Sequence, residues 1–203
     1  MPNWCSNTVI VDGGKKEIAR FVKYVEDAST EVSFSFRAVL PMPTELEDTI
    51  SPTRIVTQKE YDNYEPPDVV SLFDIGKPIT KKMSARFIAK YGTDNWCDWA
   101  NENWGTKWDV AGKEIQANLE TTHLNYSFDT AWGPPNGIYE ELVKQFPMLT
   151  INWHYSEPDM EVFGNLATDK PRNKQSVGEV NKQIAKILSS LSKKSEEQNN
   201  AIV

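Results

Sequence analysis

Ile115-Gln116-Ala117-Asn118-Leu119, followed after Glu120-Thr121-Thr122 by His123-Leu124-Asn125-Tyr126-Ser127-Phe128, is the stretch whose periodicity decides the fold. Ile115, Ala117 and Leu119 alternate with polar residues, and so do Leu124, Tyr126 and Phe128. A period of two belongs to half-buried strands, so a β-hairpin is predicted across Lys113 to Ala131. Downstream, Trp132-Gly133-Pro134-Pro135 opens a helix, because proline is tolerated in a first turn. Ile138, Leu142, Val143 and Phe146 form its apolar face, and Pro147 stops it. Two closing strands follow, Thr150 to Tyr155 and Met160 to Leu166, joined by a Glu157-Pro158-Asp159 turn.

Upstream, Ser6 to Asp12 is β-rich and is broken by Gly13-Gly14. Lys15 to Glu26 then places Ile18, Phe21, Val22 and Val25 on one face of a helix. Val32 to Leu40 reads as a second strand with Phe34 and Phe36 on one face, ended by Pro41-Met42-Pro43. Thr44 to Ile79 shows no sustained period and reads as an irregular insertion with one short helix. Thr80 offers an N-cap, Met83, Phe87 and Tyr91 recur every four residues, and Gly92 supplies a C-cap. A second helix starts at Thr93 or Asp94, aligns Trp96, Ala100 and Trp104 with Trp99 beside them, and closes at Gly105. Near the end, Val177, Val180, Ile184, Ile187, Leu188 and Leu191 mark an amphipathic helix across residues 176–191, a face suited to docking on the domain or to pairing two copies as a homodimer.

This order matches the split β-α-β plan, in which helices cover one face of an antiparallel sheet. The expectation is a ferredoxin-like α+β sandwich over residues 1–167, with a helical insertion at 41–112. A polar linker and an amphipathic C-terminal helix occupy 168–203.

Composition narrows the function classes. A chain of 203 residues with seven Trp, seven Tyr and eight Phe has apolar surface enough for one core. No run approaches the roughly 20 apolar residues that cross a bilayer, and Met1 to Cys5 lacks the pattern of a secretory signal. With Cys5 and Cys97 far apart, a reducing compartment is expected. His123 and His154 add no zinc-ligand spacing, so neither metal nor cofactor is expected. The net charge of −7 opposes general affinity for nucleic acid. From Thr168 onward, however, seven basic residues face four acidic ones, so an arm of +3 follows a body of −10 and leaves nucleic acid open as a partner.

The string Trp96 to Trp108 admits two readings. Trp99, Trp104, Lys107 and Trp108, with Trp132, can form a recognition surface, since Trp anchors dominate many interfaces and Lys107 sits between two indoles. Trp at four-residue spacing on a helix is also the ordinary signature of burial against a sheet. His154-Tyr155-Ser156 fits one half of a paired His-x-Ser/Thr phosphodiesterase arrangement; His123-Leu124-Asn125 does not fit the other. A catalytic reading would rest on His123, His154 and Ser156, set beside the reading that they are solvated residues on the polar side of their strands. The carboxylates, including Glu60, Asp62, Glu65 and Asp68, form no calcium loop.

Met1-Pro2-Asn3-Trp4-Cys5-Ser6-Asn7, Pro41-Met42-Pro43, Tyr91-Gly92, Asn95-Trp96 through Trp108, and Phe128-Asp129-Thr130-Ala131-Trp132 with Pro134-Pro135 together resemble the YubB-type ferredoxin-like proteins of bacteriophages and plasmids. The resemblance covers nearly all of residues 1–167 and not the basic tail. It implies a bacterial host cytoplasm and carries over no catalytic residue. The expectation that follows is a phage-encoded, non-enzymatic binding protein whose partner is a host protein and which inhibits an antiviral defence. The alternatives are a nucleotide phosphodiesterase and a nucleic-acid-binding module.

Overall fold

A computed structural model describes residues 3–27, 33–66, 76–110, 116–119 and 121–167. Strand β1 (Trp4–Asp12) leads through Gly13-Gly14 into helix α1 (Lys15–Val25). Short helices α2 (Phe36–Val39) and α3 (Thr44–Glu47), strand β2 (Ile55–Val56), helix α4 (Gln58–Asp62) and strand β3 (Ile79–Thr80) follow. Next come α5 (Lys81–Tyr91) and α6 (Trp96–Asn103), then β4 (Gln116–Leu119), β5 (His123–Ala131), α7 (Asn136–Gln145), β6 (Thr150–Glu157) and β7 (Val162–Asn165).

The main sheet has the order β4-β5-β1-β6-β7, with every neighbouring pair antiparallel. β1-α1-β4 is split by β5, and β5-α7-β6 is split by β1. That is the interleaved pair of β-α-β units of a ferredoxin-like α+β fold, with β7 added at the edge. Alternation sets the two faces. Val9, Val11, Leu124, Tyr126, Phe128, Ile151 and Trp153 are buried on one, where they meet Ile18, Phe21 and Val25 of α1 and Ile138, Leu142 and Phe146 of α7. Val143, placed with that apolar face by sequence, is exposed instead.

One expected strand is absent: Val32 to Leu40 contains helix α2, and β4 takes the second-strand position of the plan. Asp109 explains the difference. Its carboxylate accepts from the Phe36 and Arg37 backbone N–H groups and from Ser35 Oγ, satisfying donors that a helix start leaves orphaned. Phe34 and Phe36 are both fully buried, not on one face of a strand but at the turn before α2 and at its first residue. Phe34 lies 5.2 Å from Tyr126 and 5.2 Å from Phe128, ring centre to ring centre, each ring worth roughly 1.5–3 kcal/mol of burial. The insertion also holds more order than expected, with α3, α4 and the parallel β2–β3 pair. Residues 67–75 and the C-terminal segment 168–203, including the predicted helix at 176–191, lie outside the described residues.

A polar knot fixes the register of the three central strands. Asn7 is buried on the core face, where its Nδ2 donates to Cys5 O and to Thr130 Oγ1, both at 2.8 Å. Trp153 Nε1 donates to Asn7 Oδ1 at 3.0 Å, and Thr130 Oγ1 donates to Gly133 O at 2.7 Å. A one-residue slip would expose Asn7 and break every one of these bonds.

Candidate functional site

The paired ends of β1 and β5 gather aromatic side chains that the core does not absorb. Trp4 opens β1 opposite Ala131, the last residue of β5, and the Trp132 N–H donates to Asn3 O at 2.9 Å. The turn after α6 is fastened to the same place by Thr106 Oγ1, which donates to Ala131 O at 2.9 Å. Gly105 makes that turn possible. Its φ is +89°, and a Cβ there would stand 2.8 Å from Asn136 N. The chain then delivers Trp108 beside Trp4, with ring centres 6.4 Å apart.

Exposure distinguishes these indoles from the core. Trp4, Trp108 and Trp132 are 46%, 39% and 50% exposed, whereas Trp99 and Trp104 are 6% and 1% exposed. Trp104 donates its Nε1–H to Leu40 O at 2.9 Å and packs edge-on against Trp99 at 5.7 Å, so this pair belongs to the interior. Of the five residues read as a recognition surface, the structure brings Trp108 and Trp132 to the outside, leaves Lys107 half-buried and draws Trp99 and Trp104 into the core. Lys107 Nζ lies 4.8 Å from the Trp108 ring centre and 5.5 Å from that of Trp96, a cation held between two indoles.

Trp132 has φ +71°, in the left-handed region that bulky residues avoid. Such a conformation costs about 1–2 kcal/mol. It turns the chain out of β5 toward Pro134-Pro135 and α7. Trp4 joins this surface without a periodic signal in the sequence, because it stands at the very start of its strand; its pairing partner could be known only from the fold.

The polar face of the sheet, opposite the core and shared with Trp4, carries both histidines. His123 pairs with Asp12 in register, and its Nδ1 lies 2.7 Å from Asp12 Oδ1. His154 sits opposite Thr8 on one side and Asn165 on the other, and Ser156 sits opposite Ser6. Thr8 and Asp12 are four residues apart on β1, which also separates the two histidine strands, so the backbones at His123 and His154 are about 16 Å apart. His154 and Ser156 share one stretch of this face, but the structure does not bring His123 to them. Among the described residues no group of three or more His, Cys, Asp or Glu is arranged to hold a metal ion, and no helix is long and apolar enough to cross a membrane.

Residues 103–186 match the family model described as the ferredoxin-like domain in Api92-like protein, a segment that includes β4, β5, α7, β6 and β7. The chain is also similar to the crystal structure of a protein api92 from Yersinia pseudotuberculosis, at 11% identity and a TM-score of 0.44, over 81% of this chain and 93% of that one. No curated protein matches it.

Proposed function

We propose that this chain is a phage-encoded binding protein without catalytic turnover, whose target is a host protein of the antiviral defences. The contact is assigned to Trp4, Trp108 and Trp132 with Lys107. The observation that carries the mode of action is the exposure of three indoles, 39% to 50%, at and beside the paired ends of β1 and β5. Large exposed aromatics gathered together mark interaction sites more often than solvated surface. Trp and a neighbouring cation are the residue types that dominate binding hot spots. The setting, a mobile element acting inside a bacterial host, rests on the resemblance of residues 1–167 to YubB-type proteins.

Affinity recovery of the tagged chain from a bacterial lysate, with and without nuclease, tests the proposal. One host protein retained in near-stoichiometric amount after nuclease supports it. Recovery of nucleic acid that disappears with nuclease favours the nucleic-acid module. Absence of any protein partner, together with hydrolysis of a cyclic or linear nucleotide that is lost in His154→Ala, favours the phosphodiesterase.

A further inference from the structure

Helix α5 presents a basic solvent face in a chain that is acidic as a whole. Its sequence Lys-Lys-Met-Ser-Ala-Arg-Phe-Ile-Ala-Lys-Tyr carries four cations and no acid, although the whole chain has a net charge of −7. Phe87 is its buried anchor, and Met83, Ser84 and Tyr91 are half-buried; Lys81, Lys82, Ala85, Arg86, Ile88, Ala89 and Lys90 are all exposed. Lys82, Arg86 and Lys90 recur every four residues and line one side of that face. Beside them run Lys81, Ala85 and Ala89, with Ile88 adjoining and 51% exposed.

Two features mark this face. Lys81 and Lys82 occupy the first turn, where the helix dipole is positive and cations are disfavoured, and, unlike Lys15 and Lys16 at the start of α1, they have no acid in the same turn; among the described residues neither pairs with a carboxylate, while Arg86 and Lys90 share Glu45 at 2.8 and 2.9 Å. The charges at the start of α5 therefore work against the helix that carries them. In addition, an exposed isoleucine flanked by two alanines forms a smooth apolar seam, which a surface built only for hydration does not require.

We infer that the exposed face of α5 docks an acidic amphipathic segment of a partner protein, its apolar side on Ala85, Ile88 and Ala89 and its carboxylates on Lys81, Lys82 and Arg86. Charge complementarity selects an anionic partner. The seam selects protein over nucleic acid, since a phosphate backbone gains nothing from covering an isoleucine, whereas an apolar side chain does. This surface shares no residue with the tryptophan site, and either can fail without the other.

The test uses the full chain and three fluorescent probes: a helical peptide with a leucine seam flanked by glutamates, a scrambled peptide of the same composition, and a short DNA duplex. Binding of the helical peptide is expected to exceed that of the other two and to weaken with salt. Lys81→Glu/Lys82→Glu should weaken it by about ten-fold while leaving the melting temperature unchanged or raised, because acids suit a first turn. Ile88→Ser should weaken it with the fold intact. Absence of peptide binding, equal binding by the double variant, or preference for the DNA duplex would overturn the inference. Capture of a host protein through Trp108 and Trp132 would be unaffected by any of these results.

Discussion

Asn7 sits in the middle of β1 between Cys5 and Val9, all three on the core side. A strand-interior asparagine reads as a solvent-facing residue, and only the partners Thr130 and Trp153, more than a hundred residues away, show why it points inward. Its side chain satisfies the Trp153 indole and two acceptors, so Asn7→Leu strands the indole N–H in the core and should cost about 2–3 kcal/mol. Urea unfolding would measure this; an unchanged midpoint would mean the knot contributes nothing. Cys5, beside it, is fully buried, and desolvation pushes its thiol from 9.0 up to about 11. The folded state then holds the proton more tightly than the unfolded one. This stabilising contribution is complete below pH 9 and is lost as pH rises toward 11. At pH 8.5 a thiol-alkylating reagent should modify the native chain at the half-buried Cys97 and leave Cys5 until denaturation. Equal labelling of both cysteines in the native chain would contradict the burial.

Elements with an uninterrupted period were legible from sequence: α1, α5, β5 and β6 fall where their apolar spacing placed them, and Thr80 and Gly92 cap α5 as predicted. The segment holding Phe34 and Phe36 was not legible, because two aromatics at spacing two satisfy a strand equally well. What bends it is Asp109, some 70 residues later in the chain, and no local pattern reveals a cap supplied from that distance. The geometry makes Asp109→Ala informative. It removes three charge-assisted or capping bonds from α2 and should destabilise the fold by about 1–2 kcal/mol; an unperturbed melting curve would show that α2 stands without it. The tryptophan string divides on the same principle. Trp99 and Trp104 obey the helical period of α6 and are buried, whereas Trp108 lies beyond Gly105, where the period no longer applies and the indole is free to face outward.

At the scale of the molecule, the sheet separates two kinds of surface. One face is closed by α1 and α7 around a core rich in aromatic contacts, and the alternation legible in the hairpin and closing strands sets which residues face it, whereas the order β4-β5-β1-β6-β7 comes from the pairing of strands distant in the chain. The site is less legible than the fold, because it is assembled at strand ends and turns by backbone pairing. Trp4 meets Trp108 only because β1 lies against β5 and Thr106 ties the intervening turn to Ala131. Whether these exposed indoles hold a protein partner is read by comparing the host protein retained by the wild-type chain with that retained by a Trp4→Ala/Trp108→Ala/Trp132→Gly variant after nuclease treatment, with thermal melts of both chains. Glycine at 132 also removes the left-handed penalty, so stability at that position should not fall. A stoichiometric partner on the wild type, its loss from the variant and a variant that still melts cooperatively are expected; retention of the same partner by a folded variant would show that these indoles do not hold it.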